Sequence, residues 1–99
     1  MGFEYKIKTK LTTRQTAEIV GLIETNACFE RKYQVNDNDF WDLKHAENQG
    51  DLPNVSLMLE SDGIYICQWG TQDLWQYLDK LKNYFETENI AFEVIDYQE

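Results

Sequence analysis

A chain of 99 residues with 42% hydrophobic and 14% aromatic content is too apolar to stay disordered and is the size of one domain, residues 1–99. Its 18 acidic and 9 basic residues leave a net charge of −9, which disfavours nucleic acid and anionic membranes, because both are bound through Lys and Arg that neutralise phosphates. Two cysteines, no apolar core of a secretory signal near the start and no apolar run of membrane-spanning length point to a reducing, cytoplasmic setting without a disulfide framework.

Residues 3–9 alternate, with Phe3, Tyr5 and Ile7 on one side and Glu4, Lys6 and Lys8 on the other, the pattern of a half-buried strand. Thr12 and Gln15 fit a capping box, in which each side chain satisfies the other residue's backbone N–H. The helix that follows gathers Thr16, Ile19, Val20, Ile23 and Ala27 on one face. Gly21 in its middle lowers helix stability, and a close approach to the sheet would account for it. Residues 28–39 hold no period, and Asn36-Asp37-Asn38-Asp39 reads as turn or loop. Phe40–His45 is expected to be a strand with Trp41, Leu43 and His45 on one face, and the remaining elements follow the ferredoxin-like order if that strand is peripheral; a turn at 48–51 and a break at Pro53 come next.

The centre of the chain is the run from Val55 to Gly70. Asp62-Gly63 suits a two-residue type I′ turn, whose central residues both need positive φ. That turn would oppose Ser61 to Ile64, Leu59 to Ile66, Leu57 to Gln68 and Met58 to Cys67. One face then collects Val55, Leu57, Leu59, Ile64 and Ile66 as core; the other collects Ser56, Met58, Glu60, Tyr65, Cys67 and Trp69. A second helix is expected from a Thr71 cap, with Leu74, Leu78, Leu81 and Phe85 as its buried stripe and Asn89 near its end. A last strand spans 91–96.

The element order predicts an α+β domain, a variant of the ferredoxin-like β-α-β-β-α-β arrangement with an extra strand and two helices on one face of a mainly antiparallel sheet. The other face stays open unless residues 28–45 fold over it. Gly63–Trp69 resembles the aromatic third strand of RNA-binding ferredoxin-like domains. The leading basic residue of that strand is missing, Asp62 stands before the glycine, and the acidic balance opposes RNA.

No motif marks a catalytic, cofactor or metal site. Asp37, Asp39 and Asp42 lack the glycine and distal Glu of a calcium loop, two cysteines and one histidine are too few for a closed zinc site, and the five glycines are dispersed. Cys67 with His45 is the one nucleophile–base pair available to an enzyme, but no neighbouring cation lowers the thiol's pKa. The expected function is therefore non-catalytic binding of another protein, as an acidic inhibitor or immunity-type partner of a basic protein. Trp41, Met58, Tyr65 and Trp69 would be the anchors, and Asp37, Asp39 and Asp42 would steer the encounter. The alternatives are a small-ligand-binding or homodimeric regulatory domain using the open sheet face, and a small enzyme using Cys67 or His45. As a check on the core, Leu78→Ala is expected to cost about 2–5 kcal/mol in urea unfolding.

Overall fold

The computed structural model describes residues 2–98. Eight elements follow in order: β1 (Gly2–Lys8), α1 (Thr13–Glu24), β2 (Phe29–Val35), β3 (Asn38–Leu43), β4 (Val55–Glu60), β5 (Gly63–Trp69), α2 (Asp79–Thr87) and β6 (Glu93–Asp96). The strands form one open sheet in the order β2-β3-β4-β5-β1-β6, every neighbouring pair antiparallel. No helix among the described residues is long and apolar enough to cross a membrane.

Both helices pack on the same side of this sheet. Ile19 and Ile23 of α1 and Leu81 and Phe85 of α2 join Tyr5, Ile7, Trp41, Leu43, Val55, Leu57, Ile64 and Ile66 in one buried cluster. The capping box starts α1 as the sequence implies: Thr12 Oγ1 accepts from the Gln15 N–H at 3.0 Å, and Gln15 Oε1 accepts from the Thr12 N–H at 3.0 Å. Gly21 does not face the sheet. It is exposed, and a Cβ there would meet nothing within 4 Å.

Residues 28–39 hold a strand that no period announced, and the turn expected within 36–39 is present at Asn36-Asp37. Phe29–Val35 is a full strand, and β3 starts at Asn38, two residues before the expected start at Phe40. Strand β3 is not peripheral, since it pairs with β2 on one side and β4 on the other. The apolar period of β2 is hidden by a bulge between Phe29 and Arg31, which puts the residues on either side of it out of simple alternation. The β2–β3 turn is Asn36-Asp37, with φ of 51° and 68°, which meets the type I′ requirement at both central residues.

The β4–β5 hairpin has a different register from the one expected. Glu60 pairs with Gly63, Leu59 with Ile64, Met58 with Tyr65, Leu57 with Ile66 and Ser56 with Cys67, leaving Ser61-Asp62 as the turn. Neither turn residue has positive φ. The cause lies in the third strand. Gly63 pairs with Lys8 of β1, has φ +151°, and lies so close to the Ile7 carbonyl that a Cβ would stand 2.0 Å from its oxygen. Only glycine fits that strand position, so the turn moves back by one residue. The displacement is even in register terms, and the two faces keep the residues assigned to them.

Helix α2 begins seven residues later than a Thr71 cap would place it. Side chains in 68–75 bond to local backbone instead: Thr71 Oγ1 accepts from the Asp73 N–H, and Asp73 Oδ1 accepts from the Trp75 N–H. Gln68, fully buried on the helix side of β5, donates from Nε2 to the carbonyls of Leu74 and Gln76 at 2.8 and 3.0 Å. Tyr77, at φ +66°, interrupts any helix there. Leu74 and Leu78 are still buried, reached through turns rather than a helical stripe.

Two glycines separate these effects. Gly21→Ala is expected to raise stability by about 0.5–1 kcal/mol through helix propensity. Gly63→Ala is expected to lower it by about 2–3 kcal/mol through the strained φ and the clash with Ile7. Chemical unfolding of the two variants measures both.

Candidate functional site

The face turned away from the helices is read directly from the strand pairing, because residues opposite one another share a face. One row runs Tyr33–Phe40–Met58–Tyr65–Lys6–Ile95 across all six strands. The next runs Arg31–Asp42–Ser56–Cys67–Glu4 across five. Trp69 pairs with Gly2 beyond that row. The missing side chain of Gly2 makes room for the indole and the thiol: a Cβ there would lie 2.4 Å from Cys67 Sγ and 3.2 Å from the Trp69 ring.

The polar row is a connected network. Trp69 Nε1–H donates to Ser56 Oγ at 3.3 Å, and Ser56 Oγ–H donates to Asp42 Oδ1 at 2.9 Å. Arg31 Nε–H donates to Asp42 Oδ2 at 3.0 Å. Across the face, Tyr65 O–H donates to Glu4 Oε1 at 2.5 Å. The aromatic row stacks: the Tyr33 and Phe40 rings lie 5.5 Å apart and nearly parallel, and the Arg31 guanidinium sits 4.7 Å from the Tyr33 centroid. Between these rows is a shallow depression of about 290 Å³ walled by Tyr33, Phe40, Tyr65 and Trp69, with Glu4 and Ser56 among its polar groups.

Segment 28–45 thus extends the bare face instead of covering it. Met58, Tyr65 and Trp69 are partly exposed there. Trp41 is not with them. It stands on the helix side, 3% exposed, with Nε1–H donating to Glu24 Oε2 at 2.8 Å. The three aspartates do not act together either. Asp37 is at the β2–β3 turn, and Asp39 is 3.8 Å from Lys32 on the helix side. Asp42 is 1% exposed, its carboxylate spent on Arg31 and Ser56. A carboxylate so held contributes little to long-range steering.

Tyr33, Phe40, Glu4 and Arg31 were not singled out by the sequence as members of this face, whereas Ser56 was. The Arg31/Tyr33/Val35 alternation was the available signal, and the bulge at Glu30 obscures it. Cys67 is buried, and burial followed by the charge of Glu4 pushes its thiol pKa up, the opposite of nucleophile activation. His45 is engaged elsewhere: Nδ1 accepts from the Glu47 N–H at 3.1 Å and the ring packs 5.8 Å from Tyr77. Comparison with protein-family models, with curated proteins and with solved structures gives no match.

Burial first, then the hydrogen bond to Glu4, also raises the Tyr65 phenol pKa. An acid whose pKa is higher in the folded state keeps its proton longer there than in the unfolded chain. The unfolded chain therefore gains from alkali first, and stability falls as pH rises past the ordinary thiol and phenol values of 9.0 and 10.0. Unfolding midpoints measured from neutral to strongly alkaline pH are expected to decline over that window. Cys67→Ser with Tyr65→Phe is expected to flatten the decline.

Proposed function

We propose that this chain is a ferredoxin-like variant and a non-catalytic protein-binding module whose bare sheet face docks on a basic protein. The order β6-β1-β5-β4, with α1 after β1 and α2 after β5, supports the fold reading, and the β2–β3 hairpin is then an insertion that widens the sheet.

The observation that carries the function is the aromatic row. Tyr33, Phe40, Met58, Tyr65 and Trp69 share one face, and no other part of the described chain lies over it. Removing about 300 Å² of such surface from water yields about 7 kcal/mol before the costs of association. Aromatics and Met of this kind form interface cores.

The net charge of −9 supports a basic partner over a second copy, because like-charged copies repel. The face's own charges agree. Arg31 is paired with Asp42, and Lys6 with Glu60 and Asp62, at 3.3 Å for Glu60 and 2.5 Å for Asp62. Glu4 has no cation partner among the described residues.

The test compares wild type with a Tyr65→Ala/Trp69→Ala variant in capture from native extract at low and high salt. The expected outcome is one discrete basic protein, held by wild type, weakened by salt and lost by the variant, while near-UV and far-UV CD show the variant folded. Equal capture by both proteins, or capture indifferent to salt, overturns the proposal, as does a sedimentation result showing a wild-type dimer that the variant abolishes.

A further inference from the structure

We infer that the depression between the two rows is a receptor for one cationic side chain, an arginine or lysine of the docked partner. The inference rests on the proposed docking face and adds what that face recognises.

Four aromatic rings surround the depression: Tyr33, Phe40, Tyr65 and Trp69. Aromatic faces carry partial negative charge and attract cations within about 6 Å, and several rings around one space are the arrangement that holds ammonium groups. The fold already satisfies the same chemistry once at its edge, where Arg31 lies 4.7 Å from the Tyr33 centroid while its Nε–H bonds Asp42. That contact leaves the inner walls, Phe40, Tyr65 and Trp69, without a cation.

The polar groups have the matching sign. Glu4 is an exposed carboxylate on the rim. The Tyr65 hydroxyl uses its Oε1 atom, and no Lys or Arg among the described residues pairs with it. An entering guanidinium or ammonium would find an unneutralised carboxylate at one end and ring faces along its length. An anion would meet Glu4, and a purely apolar group would desolvate Glu4 with no cation to offset its charge. The apolar stem of arginine or lysine suits the ring walls while its head reaches Glu4.

The test titrates the isotope-labelled protein with Nα-acetyl-arginine amide, Nα-acetyl-lysine amide, tetramethylammonium and the neutral Nα-acetyl-norleucine amide. Saturable shifts of the Trp69 indole N–H and the backbone amides of 65–69 are expected with the arginine or lysine probe, and none with norleucine amide. Glu4→Gln is expected to weaken the binding about threefold. Phe40→Ala is expected to weaken it as well, and Tyr65→Phe, which keeps the ring and frees Glu4, to retain it. Absence of shifts, equal shifts with norleucine amide, or binding of tetramethylammonium alone overturns the inference. Partner capture that survives such a result would leave the docking face standing without its cation receptor, so the two failures are distinguishable.

Discussion

A sheet six strands wide has two faces, and the described residues include two helices with which to cover them. Neighbouring strands lie about 4.8 Å apart, so the sheet is about 24 Å across, close to the width of two helices side by side. Helices α1 and α2 contribute Ile19, Ile23, Leu81 and Phe85 to one side and complete a core there. Nothing remains in the described chain for the other side. The bare face is a consequence of the element count, and its chemistry is whatever the strands' second set of side chains supplies.

That second set is ordered. Pairing between strands far apart in sequence aligns Arg31, Asp42, Ser56, Cys67 and Glu4 into a polar row and Tyr33, Phe40, Met58 and Tyr65 into an apolar one. The polar row fixes the apolar one. Asp42 holds Arg31, Arg31 lies on Tyr33, and Tyr33 stacks on Phe40. On the far side Ser56 accepts from the Trp69 indole, and Glu4 accepts from Tyr65. Rings held in this way lose little freedom when a partner arrives, which lowers the entropic cost of association. Burial of Asp42 therefore serves the geometry of the rings rather than the charge of the surface.

Much of the fold was legible in the sequence because alternation and capping are local. The faces of β4 and β5 could be assigned correctly even though the register was displaced, since an even displacement keeps every side chain on its side. The Thr12–Gln15 box needed only four residues to be recognised. What stayed illegible depended on partners beyond the reach of alternation and capping. The demand for glycine at position 63 comes from the Ile7 carbonyl of β1. The unwinding before α2 comes from Gln68 reaching across to Leu74 and Gln76. In the candidate site, Met58, Tyr65 and Trp69 were visible through period two. Trp41 was misjudged because a large aromatic in a strand carries no mark of which face it occupies; Phe40 was missed for the same reason, and Tyr33 because one extra residue in β2 broke the count.

That extra residue also governs the rim of the sheet. Strand β2 is seven residues long and its outer backbone groups are unpaired within the sheet, so it is a ready template for another strand. The bulge at Glu30 bends it, and Glu30, Arg31 and Lys32 place three consecutive exposed charges along it. At the opposite rim, β6 offers only four residues. Strand-to-strand addition is thus discouraged at both borders, and the aromatic side is the part of the sheet that these devices leave unguarded.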